Sequence, residues 1–106
     1  MDPFSLELHD ARLLDVNLDP VHGHATLMIE AYEEPSSSMR IRLKIRFEQV
    51  KSANISLDSA ALMSNFKAGN ISYWHPGVLP EATHLYLSDG YIAISSGAIF
   101  ITQVNI

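Results

Sequence analysis

The chain has no cysteine. That absence excludes a disulfide scaffold, a Cys-ligated zinc site, a Cys-ligated iron–sulfur cluster and thiol catalysis together. Glycine is sparse, with five scattered copies, so no glycine-rich phosphate loop is present. Paired catalytic carboxylates, a nucleophile elbow and a His-Glu-x-x-His helix are missing as well, and the expectation is a protein that is not an enzyme and uses no cofactor. No segment approaches the ~18 apolar residues of a membrane span, and Met1 to Ser5 holds no basic stretch leading into an apolar run. A cytoplasmic protein without membrane partners is therefore expected.

What is present fits one folded domain over residues 1–106: 47% hydrophobic residues, 18% charged ones and a net charge of −5 leave neither a disordered tail nor a basic nucleic-acid binder in view. The dominant pattern is alternation at period two. From Met39 to Phe47 every odd position is apolar and every even one is basic (Arg40, Arg42, Lys44, Arg46). A helix would scatter these side chains around its circumference, since successive residues there turn by ~100°, so the run is a strand. The segment Ala25 to Glu34 alternates likewise, with Leu27, Ile29 and Ala31 in one phase and Met28, Glu30, Tyr32 and Glu34 in the other. The two form a hairpin across Pro35-Ser36-Ser37-Ser38. Stacking apolar residues together pairs Ala31 with Leu43, Ile29 with Ile45 and Leu27 with Phe47, which sets Glu34 against Arg40, Glu30 against Lys44 and Tyr32 over Arg42.

Asp89-Gly90 is suited to a type I′ hairpin turn between strands 84–88 and 91–95, pairing Leu87 with Ile92 and Leu85 with Ile94. His84, Tyr86, Tyr91 and Ser95 then share the opposite face. Ser96-Gly97 reads as a second turn before a last strand, Ala98 to Val104. Near the start, Asp10 and Arg12 interrupt the phase shared by Leu6, Leu8, Leu14, Val16 and Leu18, so a bend is expected near His9-Asp10-Ala11. Asp19 to His24 is a loop in which Gly23 is available for a left-handed conformation. Asp58 or Ser59 caps a short helix from Ser59 to Phe66, which ends at Ala68-Gly69. An extended segment follows from Asn70 to His75. Six to eight short strands with turns every ~8–12 residues predict an all-β antiparallel sandwich or partly open barrel with one short helix.

Three sets of residues carry possible chemistry. His9-Asp10 and His22-Gly23-His24 are weak metal candidates, because neither supplies the third or fourth ligand that a tetrahedral site needs, and no metal is expected. The basic row Arg40, Arg42, Lys44 and Arg46 would suit an acidic protein partner; the acids set opposite it argue against nucleic acid. Tyr73, Trp74 and His75, with Tyr86, Tyr91 and His84, could form a sugar-stacking or protein-binding patch. Solvated turns, a charged solvent face and a packed tryptophan are the plain readings of the same residues.

Leu8-His9-Asp10-Ala11, the amphipathic hairpin and the Leu-x-Leu-x-Asp-Gly-x-Ile stretch from Leu85 to Ile92 resemble small uncharacterised bacterial all-β proteins, some grouped with immunity proteins of polymorphic toxin systems. The resemblance implies a cytoplasmic, non-catalytic protein that binds a partner protein. The residues themselves point to binding of a protein or self-association into a homo-oligomer, which would cover an exposed sheet edge. The alternative is a small-ligand or carbohydrate-binding β domain using the aromatic patch.

Overall fold

The computed structural model describes residues 1–32, 36–64 and 70–104. A single turn of 3-10 helix, Pro3–Ser5, precedes six strands: β1 (Arg12–Asp19), β2 (His24–Tyr32), β3 (Arg40–Leu57), β4 (Ile71–His75), β5 (Thr83–Leu87) and β6 (Gly90–Gln103). One short helix, α1 (Ser59–Ser64), lies between β3 and β4. All strands join one antiparallel sheet in the order β1-β2-β3-β6-β5-β4. This is the expected all-β architecture with one short helix, realised as a continuous sheet that is not closed into a barrel.

One sheet can bury one of its faces only by curling over it. Straight, the 18 residues of β3 would run about 60 Å at ~3.3 Å per residue, yet the molecule's longest dimension is 36 Å. The bend is visible in the backbone. Gln49 takes φ 54°, the β3–β6 register shifts between Val50 and Ser52, and Gly97 on β6 faces Gln49, where a Cβ would overlap that side chain. A bulge that adds local twist in this way bends both central strands. Ser96-Gly97 is consequently no reversal: β6 runs through it without a break, and the glycine provides room for the neighbouring strand.

The bend folds two half-sheets around one core. Leu27, Ile29, Leu43, Ile45 and Phe47 from β2 and β3 meet Trp74, Leu85, Ile92 and Ile94 from β4, β5 and β6, all buried. Leu8 and Ala11 close one end. There the sheet's two margins touch: Asp10 N–H donates to Ile71 O and Ile71 N–H to Ala11 O, both at 3.0 Å. Asn70, almost fully buried, ties the contact, donating from its backbone to Ala11 O and accepting from Leu13 N–H on its side-chain oxygen at 2.9 Å. The expected bend is present, with Asp10 at φ 66°. A bulge between Leu13 and Asp15 then resets the phase, so Leu13 and Val16 pack on the core while Leu18 is exposed. Gly23 holds the expected left-handed conformation, φ 68°.

Two registers differ from expectation by two residues. In the β2–β3 hairpin Ala31 pairs with Ile41, Ile29 with Leu43 and Leu27 with Ile45, while Phe47 lies opposite the small Ala25. A two-residue slip leaves every side chain on its own face, so alternation cannot detect it. On the outer face Glu30 consequently meets Arg42, not Lys44, and Tyr32 meets Arg40, not Arg42. Glu34 lies outside the described residues. In the β5–β6 hairpin Leu87 pairs with Gly90, and Ser88-Asp89 forms the two-residue turn. Gly90 is a close-approach residue there, because a Cβ would stand 2.7 Å from Ser56 O on β3. Asp58 caps α1 through Ala61 N–H at 3.1 Å. Leu62 packs on the core, and Phe66 and Ala68-Gly69 fall outside the described residues.

Candidate functional site: an aromatic and histidine face

The outer face of β4, β5 and β6 carries two cross-strand rows. Tyr73 on β4 pairs with Tyr86 on β5, which pairs with Tyr91 on β6; one step along, His75 pairs with His84. Side chains directly opposite on antiparallel strands sit ~4.5–5.5 Å apart at Cβ, close enough for rings to stack. Centroid separations are 6.0 Å for Tyr73–Tyr86, 5.1 Å for Tyr86–Tyr91, 6.3 Å for His75–His84, 6.2 Å for His84–Tyr86 and 5.9 Å for His84–Tyr91. Interplanar angles run from 15° to 40°, so neighbouring rings lie roughly parallel or tilted and close to one another. Tyr73 and Tyr86 remain 54% and 43% exposed, which makes the cluster a surface and not part of the core.

Trp74 does not belong to this surface. It is 5% exposed, packs in the core, and donates its indole N–H to Pro3 O at 3.2 Å. The cause is the register shift between Ile71 and Tyr73, which turns both Ile71 and Trp74 inward and leaves Tyr73 and His75 outside. Its packing role is the one an amphipathic ring with one donor fills well.

The face is also poor in charge. No lysine or arginine follows Lys67, and the acids beyond that point are Glu81 and Asp89. The basic row occupies the other half-sheet. Arg42 lies 3.5 Å from Glu30, which also meets Arg12 at 3.7 Å; Arg46 lies 3.0 Å from Glu48. Arg40 stands over the Tyr32 ring, 4.7 Å from its centroid, and donates to Asp10 O at 3.1 Å. The three guanidinium groups are thus committed to neighbours, and Lys44 is the member of the row with no acid partner among the described residues. Beside Arg46 on β6 sits the exposed Phe100.

The remaining candidates stand apart. His9 contacts Asp10 at 3.2 Å in the bend ahead of β1. His22 Nδ1 lies 2.8 Å from an Asp19 carboxylate oxygen in the β1–β2 turn, with His24 stacked 6.3 Å away. The His22 side-chain hydrogen bond, aided by His22 backbone N–H, holds the Asp19 carboxyl below its ordinary value. Among the described residues no three His, Asp or Glu side chains converge in a way that could hold a metal ion. A cavity of about 200 Å³ beside the same turn, lined by Leu18, Pro20, Gly23, Val50 and Lys51, is smaller than the ~300 Å³ at which ligand pockets begin. No helix among the described residues is long and apolar enough to cross a membrane.

The chain is thus defined as a curled single-sheet β protein with one aromatic outer face. Comparison with family models, with curated proteins and with solved structures finds no match.

Proposed function

We propose that this chain is a non-enzymatic, cytoplasmic protein-binding domain whose contact surface is the outer face of β4, β5 and β6, and that the partner seated there is a second copy of itself. The observation that carries the reading is a contiguous outer cluster of five rings, with Tyr73, His75 and Tyr86 exposed and His84 and Tyr91 half-buried. Tyrosine supplies large contact area at low conformational cost, and clustered exposed rings mark interaction surfaces. Charge favours a second copy. A molecule of net charge −5 repels its own kind most weakly through the face with fewest charges, and this face lies on the stretch without lysine or arginine. A two-fold contact would set the face against itself. The resemblance to immunity proteins has the same physical content with a foreign protein on the face, and the comparisons lend it no support.

A carbohydrate stacking on the exposed Tyr73 and Tyr86 is the alternative reading. The test is mass against concentration by light scattering. Doubling of the mass toward millimolar protein, abolished by Tyr73→Ser with Tyr86→Ser, is the expected result. A monomer throughout, or tyrosine resonances that shift with soluble oligosaccharides, would overturn it.

A further inference from the structure

Two histidines face each other across the β4–β5 pair, each with a tyrosine hydroxyl beside its Nδ1. His75 and His84 are direct cross-strand partners with ring centroids 6.3 Å apart and planes tilted by 40°. Each presents its Nδ1 to a tyrosine hydroxyl, His84 to Tyr91 at 2.5 Å and His75 to Tyr73 at 3.4 Å. A phenol hydroxyl serves as donor or acceptor equally well. When it accepts from Nδ1–H, the imidazole is held in the tautomer whose Nε2 lone pair is free, which is the arrangement that metal-bound histidines adopt with their outer hydrogen-bond partners. An ion at Nε2 therefore leaves the Nδ1 side of His84 to its tyrosine.

Distance allows a shared ion. With metal–nitrogen bonds of about 2.0–2.1 Å, two imidazoles on one ion place their centroids about 4.5–5.3 Å apart at a right or tetrahedral angle, and about 6.4 Å apart when they stand in line on opposite sides of it. The observed 6.3 Å matches the in-line placement open to a square-planar copper ion, whereas a tetrahedral zinc ion asks the rings to approach by about 1 Å, a movement that the exposed His75 can make without disturbing the core. We propose that His75 and His84 form an open two-imidazole site for a borderline divalent ion, Cu²⁺ taken more tightly than Zn²⁺, with Tyr73 and Tyr91 as positioning residues. Neutral imidazole suits both ions, and copper stands above zinc in the affinity order for such ligands. Water completes the coordination, so the ion exchanges freely. This site does not depend on self-association, since both ligands come from one chain.

His22 and His24 have the same centroid separation, 6.3 Å, but flank a turn, and His22 alone has a hydrogen-bonded carboxylate to orient it. The two pairs are separable by experiment. The full chain is titrated with CuCl₂ and, separately, ZnCl₂ by calorimetry, with imidazole resonances followed by NMR at dilute, monomeric protein. The expected result is one site, tighter for copper, with ring signals of His75 and His84 broadened by copper and shifted by zinc. His75→Ala and His84→Ala should each weaken binding at least tenfold; Tyr91→Phe should weaken it by about tenfold while leaving both ligands in place. His22→Ala with His24→Ala should change nothing. Unchanged affinity in His84→Ala, loss of binding with the His22 and His24 changes, or copper that leaves the His75 and His84 signals untouched would each overturn the proposal, and the NMR readout on the unaltered protein does so even where a variant fails to fold.

Discussion

A chain without cysteine can report its own strand register, because two introduced cysteines have one disulfide to form. The β2–β3 hairpin places Met28 opposite Lys44 and Thr26 opposite Arg46. Residues directly opposite across an antiparallel pair have Cα atoms about 4.5–5.5 Å apart, inside the ~4.4–6.8 Å that a disulfide spans. The diagonal neighbour lies ~7–8 Å away, beyond that reach. Met28→Cys with Lys44→Cys should therefore oxidise readily, whereas Met28→Cys with Arg46→Cys should not. The closed loop is near 15 residues, for which the loss of unfolded-chain entropy gives about 3 kcal/mol. At ~4–8 °C per kcal/mol for a domain of this size, the oxidised form should melt roughly 12–24 °C above the reduced one. Free-thiol assay under mild oxidant, followed by thermal unfolding with and without reductant, reads both effects. Faster oxidation of the Met28 and Arg46 pair would show that the hairpin takes the register in which Leu27 faces Phe47, and the packing described for this half of the core would fail with it.

Further expectations concern the core, the bend and the β1–β2 turn. Phe47→Ala should cost about 3–5 kcal/mol in urea unfolding, as deletion of a wholly buried ring does, whereas Phe100→Ala on the outer face should stay within about 0.5 kcal/mol; equal effects would mean the two faces are misassigned. Gly90→Ala should destabilise by about 1–3 kcal/mol, because the added methyl meets Ser56 O at 2.7 Å, and an unchanged midpoint would refute the close approach of β3 and β6 at that point. The Asp19 carboxyl, held low by His22, should titrate by NMR below 3.8. Its folded value is depressed, so its contribution to stability is present above the unfolded value and lost as pH falls through the folded one. His22→Ala should move the midpoint back up, and a midpoint indifferent to His22 would break the assignment.

Alternation made the strands of the first hairpin and their inward faces legible, since a period of two distinguishes core from solvent without knowledge of the partner strand. It could not distinguish registers two residues apart, and both hairpins took one that preserved parity. Asp89-Gly90 shows why turn chemistry misleads here: the glycine that suits a type I′ turn is required one position later, where β6 passes close to Ser56 O. Ser96-Gly97 is the same case in stronger form. A glycine between apolar runs signals a reversal when seen alone, but across the sheet it accommodates Gln49, whose positive φ belongs to the same bend. Each glycine answers to a neighbouring strand that no local pattern reveals.

The candidate face was half legible for a related reason. Tyr73, His75 and Tyr86 stand out in the sequence as an aromatic group, and Trp74 joins them by composition alone, although alternation already sets it on the face opposite Tyr73 and His75; nothing in Ser72-Tyr73-Trp74 marks the register shift that puts Ile71 and the indole on the same inner side. The pairing of His75 with His84 was not visible at all. It exists because β4 and β5 meet with those two residues opposite one another, and a slip of two positions would separate the rings without exposing any core residue. Stacking among the rings adds about 0.2–1 kcal/mol per pair to the register that creates it. The cluster therefore helps to select the alignment on which its own chemistry depends, and a substitution such as Tyr86→Ser should loosen the β4–β5 register and the His75–His84 spacing together.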